Sequence, residues 1–277
     1  MSVLCPGDVI QHGTTSQDQG VTQHGAFLSG HGTRTSAEGQ IVASVCGRVQ
    51  RVMKVLSIQS TSSRYSAAVG DVVVGRILAV SEKDRRWRVE IASNRSAQLC
   101  LNAIELPGGG AQRRRNERDE MDMRKFYQVQ DVIAAEVQKI HHDGTVMLQV
   151  RDDRKYGRLG PGLLVAVSQS LLRKQKQHFV SLDVGVELIL GCNGWIWVTG
   201  SALGQARALR SAARVRNSIL VLDACGLQIT PVSIMFVYDA SVEMEIEAKA
   251  MLDAESLALL SNLAREHQSS LPTGGDV

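Results

Sequence analysis

Three groups of basic side chains are the residues in this sequence best suited to hold a ligand. Lys83, Arg85, Arg86 and Arg88 form the first, Arg113, Arg114 and Arg115 the second, and Arg173, Lys174, Lys176 and His178 the third. Phosphate recognition needs fixed positive charge close to the ligand, and arginine supplies it as a planar fork of donors. A charge run is also what a solvated surface looks like, so both readings stand for the first and third groups. The second is followed by Glu117, Asp119, Glu120 and Asp122. On a helix these acids pair with the arginines at i,i+4, which favours a structural or protein-contact role there.

Residues arranged for catalysis do not accompany these clusters. Asp152 and Asp153 are adjacent and point apart on regular structure, and the acids at 117–122 are interleaved with Arg118. The sequence holds no nucleophile elbow, P-loop or HExxH. The five cysteines, Cys5, Cys46, Cys100, Cys192 and Cys225, are scattered without a CxxC. Neither a zinc site nor a disulfide framework is implied. The expectation is a protein with no catalytic residues, no metal and no cofactor.

Three further motifs have a ligand-binding reading and a plainer one. Gly191-Cys192-Asn193-Gly194 fits the GxxG pattern with which KH domains clamp a nucleic-acid backbone. A working clamp is followed by a helix, whereas here Trp195-Ile196-Trp197-Val198 is strand-prone. A structural turn is the better reading, with the tryptophans packed against another domain or subunit. Trp87 offers a stacking platform for a base, but it shares a strand face with Val89 and Ile91 and so belongs to a core. Val52-Met53-Lys54-Val55 matches the lysine motif of biotin and lipoyl carriers. A carrier lysine sits at an exposed hairpin tip. Lys54 lies in a strand-like run with no turn residue beside it, which makes it an ordinary strand lysine.

The elements that must position these residues divide the chain into four. Residues 1–66 are glycine-rich with short apolar runs and read as a β-rich domain. Within it IVASVCGRVQRVMKVLSIQ carries Gly47 midway, as a hairpin would. Residues 67–152 hold five strand signals: VVVGRILAV, WRVEIAS, SAQLCLN, DVIAAEVQKI and TVMLQVR. A charged helix candidate from Arg113 to Phe126 separates the third from the fourth. That is the plan of an OB barrel, whose loops between strands one and two and between strands four and five hold oligonucleotides. Here those loops carry Lys83, Arg85 and Arg86, and His141-His142-Asp143-Gly144. Residues 153–240 mix helix and strand. GLLVAVS, VELILG, WIWVTG and SIMFVY read as strands, with helices from Ser168 through QSLLRKQKQHF and over 203–223. Residues 241–277 hold a helix candidate over 242–266 and a polar tail. The fold class is therefore multidomain and mainly β with α+β.

Composition narrows the partners. The 277 residues carry a net charge of +3, 44% hydrophobic residues and only 4% aromatics. Weak basicity permits nucleic-acid contact without demanding it, and scarce aromatics leave few platforms for stacked bases. The N-terminus lacks a basic region followed by an apolar run, and no stretch reads as a membrane helix. A reducing intracellular setting without membrane contact is expected.

The succession of β-rich domain, S1-type OB barrel, KH-like domain and C-terminal helix resembles the S1/KH cap subunits of the RNA exosome. The segments that carry the resemblance are PGDVI at 6–10, GHGT at 30–33, VGDVVVGRI at 69–77, LPGG with RRR at 106–115, DVIAAEVQ at 131–138, KYGRLGPGLLVAVSQSLLRKQKQHF at 155–179 and LGCNGWIWV at 190–198. They span the chain up to about residue 240, and their order is more specific than any one of them. The resemblance implies a non-enzymatic subunit seated on a ring of six RNase PH-like proteins with two other cap subunits, in the nucleus, its nucleolus and the cytoplasm. Its N-terminal and KH-like domains would grip the ring. Its barrel would guide single-stranded RNA 3′ ends to 3′-5′ exoribonucleases supplied by other chains, as in rRNA maturation. S1 barrels usually present aromatics on strands two and three, where this one offers Leu99 and Leu101. Contact through Lys83, Arg85, Arg86 and Arg88, with His141, His142 and Arg151, is the expected substitute. A stand-alone S1/KH RNA-binding protein and a Lys54 carrier are the competing classes.

Overall fold

The computed structural model describes residues 3–11, 27–60, 64–104, 121–151, 155–172, 175, 177–200 and 205–270. The chain forms two compact units, residues 1–63 and 64–277.

Among its described residues the first unit holds seven short strands: β1 (Val3–Leu4), β2 (Val9–Gln11), β3 (Leu28–Ser29), β4 (Thr33–Thr35), β5 (Ile41–Ala43), β6 (Gly47–Val52) and β7 (Val55–Ser60). They lie in two sheets, ordered β1-β6-β7-β3 and β2-β5-β4. Ile41, Val42, Ala43, Leu56 and Ile58 are buried. The hairpin turn falls elsewhere than Gly47 suggests. Gly47 opens β6, and the β6–β7 register pairs Val52 with Val55. Met53 and Lys54 are therefore the turn, with Met53 at φ +52°. A non-glycine residue seldom adopts that region, so composition gives no warning of it. Lys54 sits at an exposed hairpin tip and not inside a strand.

The second unit begins with the barrel. β8 (Val72–Ser81), β9 (Arg86–Glu90), β10 (Ala97–Cys100), β11 (Val132–Ile140) and β12 (Val146–Gln149) run in the order β12-β10-β9-β8-β11. Pairing of β11 with β12 closes the ring. A helix, α1 (Met123–Phe126), precedes β11, and β13 (Gly157–Arg158) pairs with the outer edge of β11. This is the closed five-stranded S1-type plan expected from the strand signals. Of the charged helix anticipated from Arg113, the described residues include only this C-terminal turn.

Alternation fixes what points inward. Val73, Ile77, Trp87, Val89, Leu99, Ile133, Ala135 and Leu148 fill the barrel. Trp87 is fully buried, donates its indole N–H to the Tyr127 carbonyl at 3.2 Å and meets the Tyr127 ring edge-on at 5.4 Å. It is core and no platform for a base. Val74, on the other face of β8, is equally buried, packed with Ala134, Ile189 and Trp197. The unbroken apolar run VVV thus reflects a strand covered on both faces.

Where the chain enters the barrel, the Tyr65 hydroxyl donates to the Asp71 carboxylate at 2.7 Å. Burial, and then this hydrogen bond, push the Tyr65 phenol up; burial pushes that of Tyr127 up to about 12. Both favour the neutral phenol in the folded state against an ordinary value of about 10. A raised folded-state value gives stability that is present below pH 10 and lost as pH rises through 12. The urea midpoint is therefore expected to hold from pH 8 to 9.5 and to fall between pH 10 and 12. Tyr127→Phe should flatten part of that fall in a pH series of denaturation curves.

The described residues of the remainder form an antiparallel sheet with three α-helices. β14 (Leu163–Ala166), β15 (Phe179–Leu182), β16 (Val186–Leu190) and β17 (Trp195–Gly200) order as β14-β17-β16-β15. α2 (Gln205–Ala224), α3 (Pro231–Glu243) and α4 (Ala254–Ser270) pack with it around Leu188, Ile196, Val198, Val215, Ile219 and Met251. None of the described helices is long and apolar enough to cross a membrane.

Three local expectations change here. SIMFVY lies in α3 and is not a strand. Thr230 caps the helix by accepting from the Ser233 N–H at 3.1 Å, Ser233 reciprocates, and Pro231 occupies the first turn. That capping box outweighs the strand preference of Ile, Phe, Val and Tyr. The helix anticipated over 242–266 is interrupted: α3 stops at Glu243 and α4 starts at Ala254. From α2, the Arg214 guanidinium donates to the Ile246 carbonyl at 2.8 Å and the Asn217 amide to the Ala248 carbonyl at 2.6 Å. Carbonyls captured this way are satisfied without a helix. Finally, Ser168 starts a 3-10 turn (Gln169–Leu171) with no side-chain cap, and Phe179 begins β15. Arg173, Lys174 and Lys176 lie outside the described residues, as do Arg113–Arg115.

Candidate nucleic-acid interface

The basic hairpin is the tip of β8 and β9. Ser81 pairs with Arg86, and the turn between them closes with the Arg85 N–H donating to the Glu82 carbonyl at 3.2 Å. Lys83, Arg85, Arg86 and Arg88 are all exposed. The two acids of the turn are occupied. Asp84 accepts from the Ser81 hydroxyl at 2.8 Å, and Glu82 pairs with Arg124 of α1 at 3.0 Å. The turn therefore presents cations outward.

Alternation along β9 carries that charge onto the barrel wall. Trp87 and Val89 point in, so Arg86 and Arg88 point out. Gln98 of β10 stands opposite Arg88, and its side-chain oxygen accepts from the Arg86 guanidinium at 2.6 Å. The outer face of strands two and three therefore presents Arg86, Arg88 and Gln98 near the hairpin, with Glu90 farther along neutralised by Arg76 at 2.6 Å, where stacking S1 barrels have aromatics. Such a face suits a phosphate backbone better than a base. Gln98 was not anticipated from the sequence. Its outward alternation opposite Arg88 is the signal, legible only once β9 and β10 are in register.

His141 and His142 do not join this hairpin. They are exposed in the β11–β12 turn, which is braced by the Thr145 N–H and hydroxyl donating to Asp143 at 2.9 and 2.8 Å. Those bonds, the backbone one first, hold the Asp143 carboxyl below the usual range. β11 runs antiparallel to β8, with Val132 beside Arg76 and Glu136 beside Val72. Its far end thus lies at the start of β8, while the basic hairpin lies at the end of β8. Ten residues of β8 separate them, about 30 Å of strand. The barrel has two loop regions at opposite ends, joined by the β9–β10 face.

Arg151 is itself exposed but committed to a partner within the chain. It follows β12 and makes an ion pair with Glu136, donating from Nη2 to Oε1 at 2.7 Å. The Glu136 side chain is only 8% exposed. A carboxylate that buried needs its cation, so Arg151 neutralises the barrel seam.

The Gly-Cys-Asn-Gly turn between β16 and β17 grips protein. The Asn193 amide nitrogen donates to the carbonyls of Val74 at 2.8 Å and Ile91 at 3.1 Å, and its oxygen accepts from the Val74 N–H at 3.3 Å. The Cys192 N–H donates to the Val72 carbonyl at 2.8 Å. A Cβ on Gly191 would fall 2.6 Å from the Trp195 carbonyl and 3.0 Å from the Val74 nitrogen. Gly194 has φ +83°, and a Cβ there would lie 2.5 Å from the Val167 carbonyl. Gly191, Cys192 and Asn193 thus dock this sheet against the barrel, while Gly194 seats the turn against Val167 of its own sheet. Trp197 packs into the same joint, and Trp195 beside it lies 5.9 Å from the Arg76 guanidinium.

Comparison with known proteins agrees with the geometry. A family model described as the RRP4 S1 domain matches residues 64–139, and a KH domain model matches residues 162–203. Over 260 residues the chain is 39% identical to exosome complex component RRP4 of Mus musculus, covering 88% of this chain and 83% of the mouse protein. It is 40% identical to the Bos taurus protein of the same name, with the same coverage. An Arabidopsis thaliana RRP4 homologue is 36% identical over 263 residues, covering 85% of this chain and 80% of its own length.

Proposed function

This chain belongs to the RRP4 family of exosome complex components, and from that membership we propose that it is a non-catalytic RNA-binding cap subunit of an RNA exosome. The observation that carries the RNA-binding role is the outer face of β9 and β10, where Arg86, Arg88 and Gln98 continue the charge of the hairpin onto the barrel wall. A cap needs to hold any single strand loosely and let it pass. Side chains that attract the backbone and stack on no base serve that end. The KH-like turn supports the same role from the other side. With its loop spent on docking to the barrel, the sheet and helices are scaffold, and the barrel is the RNA-facing element.

In this reading the partners are RNase PH-like ring subunits, the other cap subunits and associated 3′-5′ exoribonucleases, which supply the hydrolytic or phosphorolytic chemistry. The working compartments are nucleus, nucleolus and cytoplasm. Lys54 does have the exposed hairpin position that a carrier lysine requires, which the sequence had hidden. Family membership nevertheless points to an RNA complex and away from a carrier. Affinity purification of the tagged protein from its native cells, followed by mass spectrometry, tests the assignment. RNase PH-like proteins are expected in near-equal amounts. A stable monomer that binds RNA tightly without them would instead make this a stand-alone S1/KH protein.

A further inference from the structure

A cleft opens on the barrel at the end away from the basic hairpin, with a volume of about 270 Å³. Three segments wall it: residues 64–67 leading into β8, residues 93–95 joining β9 to β10, and the β11–β12 hairpin. The first two are fixed to each other, because Tyr65 and Ser93 form a parallel bridge. Tyr65 is also anchored through Asp71. The walls are therefore built before any ligand arrives. Ala67, Ile140 and the buried Val146 give the cleft apolar surface, while Arg64, Asn94 and Arg95 are exposed at its rim.

The charges at the rim favour an anion. The acid that pairs with Arg95 is Asp143, at 3.9 Å, with both side chains about 60% exposed. A pair that long and wet holds its members weakly. Asp143 already accepts two bonds from Thr145, so Arg95 can turn to a ligand at little cost.

We infer that this cleft is a single-nucleotide subsite for single-stranded RNA, with flanking phosphates on Arg64 and Arg95, the base against Ala67, Ile140 and Val146, and the Asn94 amide at the base edge. The inference rests on the RNA-binding reading above and adds a second anchor to it. The volume lies below the range of roughly 300–1,000 Å³ typical of drug-sized ligands, which suits one base. An amide both donates and accepts, as a base edge does, and two guanidinium groups astride an apolar floor fit a base with its phosphates. The subsite also gives the β9–β10 face a destination. A strand leaving the hairpin at Arg86 runs along Arg88 and Gln98 toward the 93–95 turn.

The test uses the full chain in its purified complex and a 4-thiouridine-substituted oligouridylate, with cross-links mapped by mass spectrometry. Cross-links are expected on the 93–95 turn and on residues 64–67, in addition to the β8–β9 hairpin. Arg64→Ala with Arg95→Ala should reduce the cleft cross-links at least tenfold and leave those on the hairpin. The same variant should flatten the dependence of log affinity on log salt by about 1.4, two phosphates at about 0.7 each. Both arginines are exposed, so the thermal midpoint should match the wild type. Hairpin cross-links without cleft cross-links, or an unchanged salt slope, would overturn the subsite and leave the RNA-binding reading intact. Absence of cross-links anywhere on this chain would sink that reading itself. Displacement of the RNA from the cleft by a polyglutamate peptide at equal charge, with no preference for oligouridylate, would reassign the cleft to acidic peptides and overturn the proposal.

Discussion

Asn193→Ala is expected to lower the unfolding free energy of residues 64–277 by about 2–4 kcal/mol. The substitution strands the Val74 and Ile91 carbonyls and the Val74 N–H, which Asn193 now satisfies inside the joint. A buried polar group left without a partner costs about 1–3 kcal/mol, and partial relaxation or entering water recovers some of the sum. Against a total stability of about 5–15 kcal/mol, that is a large fraction. Urea denaturation read by tryptophan fluorescence checks it, since Trp195 and Trp197 lie at the joint. Asn193→Asp is a sharper probe. It keeps the acceptor for the Val74 N–H but sets a negative charge against two carbonyls, so it should be at least as damaging as alanine. A loss under about 0.5 kcal/mol for either variant would mean that the turn does not clamp the barrel.

Reversing Lys83, Arg85 and Arg86 to glutamate should weaken RNA binding by the assembled complex roughly tenfold to a hundredfold near physiological salt. Removing three phosphate contacts removes about 2 from the slope of log affinity against log salt, which alone amounts to about twentyfold between 50 and 200 mM. The reversal takes the formal charge of the chain from +3 to −3, a change of two for each of three residues. Folding should be indifferent. Lys83, Arg85 and Arg86 are exposed, and an ion pair of the same turn, Arg124 with Glu82, is exposed on both sides; such pairs contribute about 0–1 kcal/mol. Size-exclusion chromatography of the complex separates the two roles of the loop. Intact assembly with slow degradation of a threaded substrate supports guidance of RNA. Failure to assemble would make the hairpin a protein interface.

The barrel was legible because its signals are local. WRVEIAS alternates, so Trp87, Val89 and Ile91 had to share a face, and the structure buries all three. The basic hairpin followed from the same strands, since a polar run between two apolar ones becomes a turn. In the helical region local signals competed. Ile234, Phe236 and Val237 favour a strand, and the Thr230–Ser233 box with Pro231 tells against it. The break after α3 had little local signal: Glu245, a non-glycine residue, takes the left-handed φ of +53° at which the Glu245 and Ile246 N–H groups close onto the Val242 and Ser241 carbonyls, and Arg214 and Asn217, which hold the segment beyond, come from another helix.

For the candidate site the division is similar. The residue types at 83–88, the shortage of aromatics and the poor fit of Gly-Cys-Asn-Gly to a working clamp were all fixed by the sequence itself. What Asn193 grips was not, because its partners Val74 and Ile91 lie more than a hundred positions away. The same holds for Arg151, whose charge is claimed by Glu136 across the barrel seam, and for the distance between the two loops. Hydrophobic alternation and turn chemistry act over a few residues, so sequence alone determined the strands, the barrel and where charge is concentrated. Which charges face solvent, and which are consumed by the fold, depends on backbone groups brought together by closure of the barrel and docking of the sheet. Only the tertiary structure decided that.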